Sequence, residues 1–311
     1  MIPVCWYEGI VGADSYSAQF SAEGIQGRSR YACTGLLNSA FDSYGDLFQH
    51  YSGWQGMPRP LPDYAVVILH GGHLRYNVDA INLALQELQG VLIIGIGDEE
   101  NDFPYARLSH RNMKLWMQSP IPGKSRADRF IPVGYPCDCR EELNKFNPTD
   151  AKFLDWFFAG QVTHARREEC VRALRAMKNG MLLETQQFYS GMSHEEYFRW
   201  THRARIVPCP SGPVCSDTFR LAEALEAGCV PIVDEWPGWR GSPTTGIFNM
   251  LFPAGYPFPL IGNWADLPHV TANILKDYGR IQKECAEFWA SYKAEYFSWL
   301  GKDLKALGVS V

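Results

Sequence analysis

Two short apolar runs organise the first third of the chain. Ala65–His70 is apolar until its last residue and leads into Gly71-Gly72, and Val91–Ile96 is apolar apart from Gly95. Runs of this length bounded by turn residues predict buried parallel strands. Between them Ile81, Leu85 and Leu88 recur at helical spacing, with Gly90 placed to end that helix. Strand, helix and strand make a βαβ unit, whose crossover is right-handed. Shorter strands are predicted at Lys114–Met117 and Phe130–Val133.

The pattern then breaks and resumes. Tyr135–Asp150 is polar and turn-rich, as a linker between domains would be. Phe153–Ala159 is apolar apart from Asp155, Gly160 follows, and Val171, Leu174 and Met177 line one side of a helix from about Arg166 to Met177. Ser193 and Glu196 have the spacing of a capping box, which opens a helix ending near Arg203. Ile206-Val207 enters a strand, Asp217–Gly228 reads as a helix, and Cys229–Val233 reads as the strand after it. The tail from about Asn273 to Leu300 is helical and carries Phe288, Trp289, Tyr292, Tyr296 and Trp299. Alternating strands and helices in both halves predict two α/β domains with mainly parallel sheets.

Bulk properties narrow the function. A chain of 311 residues suits two domains. The net charge is −5, and the densest basic stretch, Arg166, Arg167, Arg172 and Arg175, is interrupted by Glu168 and Glu169. That is no duplex-binding stripe, so nucleic acid enters only as an acceptor substrate. The first residues lack a basic segment followed by a long apolar run, and no stretch of about 18 apolar residues occurs, so neither a signal peptide nor a membrane span is expected. Nine cysteines at scattered spacing predict free thiols in a reducing cytoplasm. Cys137-Asp138-Cys139 and Cys209 with Cys215 do not form a four-ligand zinc pattern. Asn147-Pro148-Thr149 is no glycosylation acceptor, because proline occupies its middle position.

Residues 206–233 carry the chemistry. A strand ends at Pro208, a Pro/Gly/Ser loop runs to Ser216, and a helix opens with Asp217 or Ser216 as its N-cap. The unpaired amides and positive dipole end of that helix suit a diphosphate, and the loop lies where open α/β sheets bind ligands. Arg220 and Glu223 share a side of the helix. They form a surface pair, or Arg220 meets phosphate oxygens while Glu223 accepts hydrogen bonds from ribose hydroxyls.

The run from Cys209 to Val233 resembles the signature of exostosin-type glycosyltransferases: a P-x-G loop through Pro210 and Gly212, then Ser216, Arg220, Glu223-Ala224 and a G-C-x-P-V strand. Phe157–Gly160 followed by Arg166 or Arg167 resembles that family's F-x-G…R element, and Ser193–Trp200 its S-x-x-E-Y helix. Asp234-Glu235-Trp236, Phe258-Pro259-Leu260 and Trp264 resemble the segment beyond the strand. The resemblance spans roughly residues 150–290. It implies an α/β fold of the GT-B type, with two Rossmann-like domains facing a central cleft. Residues 1–140, joined by a returning helix 282–311, would form the acceptor side, and residues 150–281 the nucleotide-sugar side. Carried over by position, Glu223 would bind the ribose, and Arg220 with the backbone of Ser216, Asp217 and Thr218 would hold the diphosphate. Arg166 or Arg167 would close on it. The animal exostosins carry a membrane anchor that is not seen here.

The implied reaction moves a sugar from a nucleoside diphosphate, a UDP-sugar being favoured, to a hydroxyl on a glycan or similar acceptor, with inversion. Arginines and a helix terminus can stabilise the leaving diphosphate, and no Asp-x-Asp motif is present, so no metal and no cofactor is expected. The base is sought at a strand end of the first domain: Asp98 or Glu99, with His70 and His73 as rivals. Asp98 as a plain turn cap, and a histidine bonded to backbone beside glycines, are the bland alternatives. Trp236, Trp239 and Trp264 line the sugar site or fill core. Three other functions compete: glycosylation of a hydroxymethylated DNA base, sugar-nucleotide epimerisation on the same architecture, and non-catalytic sugar binding.

Overall fold

The computed structural model describes residues 1–7, 34–52, 54–70, 77–99, 102–147, 150–186, 191–235 and 246–311. The chain divides into two units, residues 1–137 with 293–311 and residues 138–292.

The first unit is built on β1 (Ile2–Tyr7), α1 (Gly35–Asp42), β2 (Phe48–Ser52), β3 (Tyr64–His70), α2 (Val78–Leu85), β4 (Gly90–Ile96), β5 (Met113–Met117) and β6 (Arg129–Phe130). Its six strands are parallel in the order β2-β1-β3-β4-β5-β6. β3 and β4, the two expected strands, form its centre, and β4 is buried along its whole length. Helix α2 lays Val78, Ile81 and Leu85 against that sheet and is capped by Asn77, whose side chain accepts from the amides of Asp79 and Ala80. Gly90 does not end this helix; it opens β4 under Tyr64 and Asn112, where a Cβ would come within 2.8 Å of Asn112 Nδ2. The strand at residues 2–7 has no alternation and begins at once, so periodicity does not find it.

The second unit contains α3 (Cys139–Leu143), β7 (Leu154–Gln161), α4 (Ala165–Arg175), β8 (Gly180–Thr185), α5 (His194–Arg203), β9 (Ala204–Cys209), α6 (Phe219–Glu226), β10 (Val230–Asp234), α7 (Ile247–Leu251), β11 (Leu260–Ile261) and α8 (Leu267–Lys276). Its five strands are parallel in the order β11-β10-β9-β7-β8. The capping box at Ser193 and Glu196 forms as predicted. The expected linker is not loose chain: it holds α3, with Asp138 bonded to His194 (2.7 Å) and Arg140 paired with Glu226 (3.3 Å).

The helical tail is two helices, α8 and α9 (Tyr278–Leu307), broken at Asp277, whose ψ of 32 leaves the helical range. The division of the chain falls inside α9 at residues 292/293, later than the 282 expected. Side-chain partners explain it: Trp289 Nε1 donates to Glu226 in the second unit (2.6 Å), whereas Asp303 binds Arg129 and Trp116 in the first. Among the described residues no helix is long and apolar enough to cross a membrane.

Asp303 is 6% exposed and accepts from Trp116 Nε1 (2.7 Å), Arg129 Nε (2.7 Å) and Arg129 Nη2 (3.0 Å). Asp303→Ala leaves a half-buried guanidinium and an indole N–H unpaired, at a cost of about 3 kcal/mol. Amide exchange on β5 should accelerate by about a hundredfold in that variant while β9 stays protected.

Candidate functional site

In the second sheet the chain passes from β7 to β8 on one side and returns to β9 on the other. The carboxyl ends of β7 and β9 are therefore a topological switch point, the place where open parallel sheets form a ligand crevice. Gly160 and His164 lie at the end of β7, and the Pro210–Ser216 loop follows β9.

Helix α6 faces this edge with its amino end. Its N-cap is Thr218, not Ser216 or Asp217: Gly212 N bonds Cys215 O (2.8 Å) to close the loop, and Thr218 stays extended before Phe219 begins the helix. Ser216, Asp217 and Pro210 are buried in that loop. The Thr218 side chain makes no cap bond, and its hydroxyl is buried without a partner. Helix α4 is headed in the same way by His164, whose ring does not cap it and whose Nδ1 is buried and unpartnered. By contrast the heads of α2 and α5 are capped by their own side chains. The two helices at the switch point thus present positive dipole ends that no side chain of their own caps.

Arg220 sits in the first turn of α6 and is 4% exposed. Its Nη2 donates to Ala159 O (2.8 Å), and the guanidinium lies 4.7 Å over the Phe158 ring. A Cβ at Gly160 would stand 2.6 Å from Nη2, so this close approach requires glycine. Nε and Nη1 find no partner among the described residues. A buried cation with two unmade hydrogen bonds is a costly arrangement that an anion would relieve.

Glu223, one turn on, is 2% exposed. Its Oε2 accepts from Tyr197 OH (2.6 Å), and Oε1 takes no hydrogen bond among the described residues. Burial pushes its carboxyl up to about 7, against the Tyr197 hydrogen bond and the charges of Arg220 and His194, which favour the ionised form. Arg220 and Glu223 are thus neither exposed nor hydrogen-bonded to each other, and the surface-pair reading falls.

Arg166 and Arg167 are otherwise committed. Arg166 Nε donates to Asp234 Oδ2 (2.6 Å), Nη1 to Glu169 (3.1 Å) and Nη2 to Gly262 O (3.4 Å). Asp234, fully buried, also accepts from the Ser211 amide (2.6 Å) and Trp264 Nε1 (3.1 Å), so Trp264 is core. Arg167 bonds Ser211 O (3.4 Å) and Gln161 O (3.2 Å). Both arginines shape the loop from behind. Tyr197, His164 and Asp234 are site residues that reading by residue type did not single out, although Tyr197 and Asp234 lie in the quoted motifs.

In the first unit Asp98 follows β4 and is 5% exposed. Its two oxygens accept from the amides of Asp102 (3.0 Å) and Phe103 (3.2 Å); burial, then the Asp98 charge and a hydrogen bond to it, raise the Tyr105 hydroxyl pKa. Asp98 therefore does cap a turn. Glu99 is exposed. His70 ends β3 half-buried, its ring against Gly97, where a Cβ would lie 2.9 Å from Nε2. His73, Trp236 and Trp239 lie outside the described residues.

No family profile matches the chain, and no curated protein matches its sequence. Among solved structures it is similar to the DNA-modifying enzyme β-glucosyltransferase, solved in the presence and absence of uridine diphosphoglucose. The TM-score is 0.50 at 10% identity, over 99% of this chain and 100% of that one. It is similar also to T4 phage BGT in complex with UDP and Mn2+ (TM-score 0.44, 10% identity, 99% of each chain). A third is Anabaena HepE in complex with UDP-glucose (TM-score 0.47, 10% identity, 98% and 100%). The first likeness shows the fold: two parallel-sheet α/β domains of the GT-B type.

Glu223 holds its proton more tightly in the fold than its ordinary value of 4.5. Its contribution to stability is present below about pH 4.5 and is lost as pH rises through about 7. Carbon-13 NMR of the Glu223 carboxyl should give a midpoint near 7, and Tyr197→Phe should move that midpoint upward, because the lost hydrogen bond favoured the carboxylate.

Proposed function

We propose that the protein is a glycosyltransferase that takes its sugar from a nucleoside diphosphate, a UDP-sugar being favoured, and passes it to a hydroxyl of a glycan or similar acceptor. One observation carries the reading: at the switch point a buried arginine with two unmade donor bonds stands one turn from a buried carboxylate with one unused oxygen. A diphosphate satisfies the first and a ribose hydroxyl the second. Thr218 Oγ1 adds a donor for the phosphates, and the positive dipole end of α6 favours their charge. Gly160, Arg220, Glu223 and Tyr197 stand at motif positions of the exostosin-type signature, which supports kinship with that family as part of the same proposal.

In the reaction the acceptor hydroxyl gives its proton to a base while its oxygen attacks the anomeric carbon. The bond from that carbon to the diphosphate oxygen breaks, and the electron pair leaves on the diphosphate. Arg220 and the α6 terminus stabilise that charge, which is why we read transfer as metal-independent. We assign the base to Asp98, whose carboxylate is held by two amides at a strand's carboxyl end, and the outcome is inversion. One neighbour of this fold modifies DNA using uridine diphosphoglucose. Hydroxymethylated DNA therefore belongs among the acceptors tested beside glycans.

Melting curves with UDP, GDP, ADP, TDP and CMP test the donor site. One nucleotide at about 100 times its Kd should stabilise by about 2.7 kcal/mol, a shift of several degrees. The shift should survive EDTA and shrink in Glu223→Ala as affinity falls roughly ten- to a hundredfold. No shift with any nucleotide, or an undiminished one in Glu223→Ala, would sink the donor-site reading. Asp98→Asn should bind the same nucleotide as the wild type and transfer sugar roughly a hundredfold to ten-thousandfold more slowly. Unchanged transfer would move the base to Glu99, His70 or His73.

A further inference from the structure

The unpartnered atoms at the switch point are of two kinds. Arg220 Nε and Nη1 are donors, and the Thr218 hydroxyl can act as one. The His164 atom is different. Its Nε2 lies 3.0 Å from the Ser211 carbonyl oxygen, which can only accept, so Nε2 carries the hydrogen. Burial and the neighbouring Arg167 charge lower the ring's pKa and keep it neutral. Nδ1 is then a bare acceptor, buried and without a partner.

Phosphate oxygens only accept, so they cannot satisfy Nδ1. A hydroxyl can. The ring also gives up the local role of its position. An N-cap side chain normally bonds the first turn of its helix, and His164 turns away from α4 to the Ser211 carbonyl of the loop instead. Asp234 fixes that loop through the Ser211 amide (2.6 Å), and Gly212, the next residue, lies 3.7 Å from Thr218 Cγ2 when given a Cβ. The acceptor is therefore mounted on the same framework as the donors. Breaking a local preference while leaving a buried atom unsatisfied is a mark of function.

We propose that His164 Nδ1 accepts a hydrogen bond from a hydroxyl of the transferred sugar, making His164 a specificity-determining residue of the donor site. The proposal rests on the donor-site reading above. Glu223 takes the ribose hydroxyls in that reading, so the hydroxyls left on the donor belong to the sugar.

Calorimetric binding of UDP, UDP-glucose, UDP-galactose and UDP-N-acetylglucosamine to wild type and His164→Gln tests it. Glutamine keeps a donor for the Ser211 carbonyl in place of Nε2 and lacks an acceptor in place of Nδ1. UDP should bind both proteins equally, while the preferred UDP-sugar should weaken about tenfold in the variant. In the wild type, one monodeoxy form of that sugar should lose the same factor, and His164→Gln should cost that form nothing more. Equal weakening of UDP and UDP-sugar would overturn the proposal in favour of a phosphate or scaffold role. No weakening of either overturns it too, as does a wild type that binds no UDP-sugar more tightly than UDP. The donor-site reading fails separately, when Glu223→Ala leaves UDP binding intact.

Discussion

The second unit depends on one buried ion pair. Asp234 ends β10 with no exposed surface, and its carboxylate is shared by Arg166 from α4, the Ser211 amide from the loop after β9, and Trp264 beyond β11. Taking both charges out of water costs several kcal/mol per ion, and only a full set of hydrogen bonds offsets that. Here the set is full: Arg166 also reaches Glu169 and the Gly262 carbonyl. Removing either partner would leave a buried charge, and removing Asp234 would also release α4, the loop after β9 and the Trp264 segment at once. The pair therefore does more than stabilise, because it fixes where the loop after β9 stands relative to the head of α4.

That fixed frame explains how its neighbours can be left incomplete. Among buried polar groups a missing partner costs about 1–3 kcal/mol, and most proteins carry few such groups. The second unit keeps several at one edge: two nitrogens of Arg220, the Thr218 hydroxyl and His164 Nδ1. Such groups persist only where surrounding structure overrides their local preference. Gly160 admits the Arg220 guanidinium, Phe158 lies under it, and Ala159 takes one of its donors. Of the other helices, α2 and α5 are capped by Asn77 and Ser193, each bonding its own first turn, whereas α1, α3, α7 and α8 have no side-chain cap. What sets this edge apart is the gathering of unpartnered buried atoms on Arg220, Thr218 and His164, not the missing caps.

How much was legible in the sequence follows the same division. The central strands β3, β4, β7, β9 and β10 announce themselves as apolar runs, and the capping box of α5 is a local pattern of four residues that forms as read. The motif around Arg220 and Glu223 was legible as a candidate site, because strand, loop and helix are consecutive in the chain. Elements defined by distant partners were not. The cap of α6 moved to Thr218 because a Gly212–Cys215 bond closes the loop earlier than propensity suggests. Arg166 and Arg167 look like phosphate ligands by type and turn out to serve Asp234 and three carbonyls, partners 6 to 96 residues away. His164 carries no signal at all, since its meaning depends on which ring nitrogen meets a carbonyl 47 residues on.

Arg220 and Glu223 illustrate why residue type and spacing underdetermine a site. At one helical turn apart, opposite charges on a surface attract weakly and serve stability by a few tenths of a kcal/mol. Buried, the same two residues would be expected to bond each other, since each lowers the other's desolvation cost. They do neither. Arg220 turns to the Ala159 carbonyl and Glu223 to Tyr197, and each retains bonding capacity that its neighbours do not use. Tyr197 is the residue that makes this possible: it gives the carboxylate one hydrogen bond, so that ionisation near neutral pH is not prohibitive, without supplying a charge that would consume it. A carboxylate kept ionisable and an arginine kept unneutralised, one turn apart on a helix whose head is uncapped, are arranged for a molecule bearing both a hydroxyl pair and a dense negative charge.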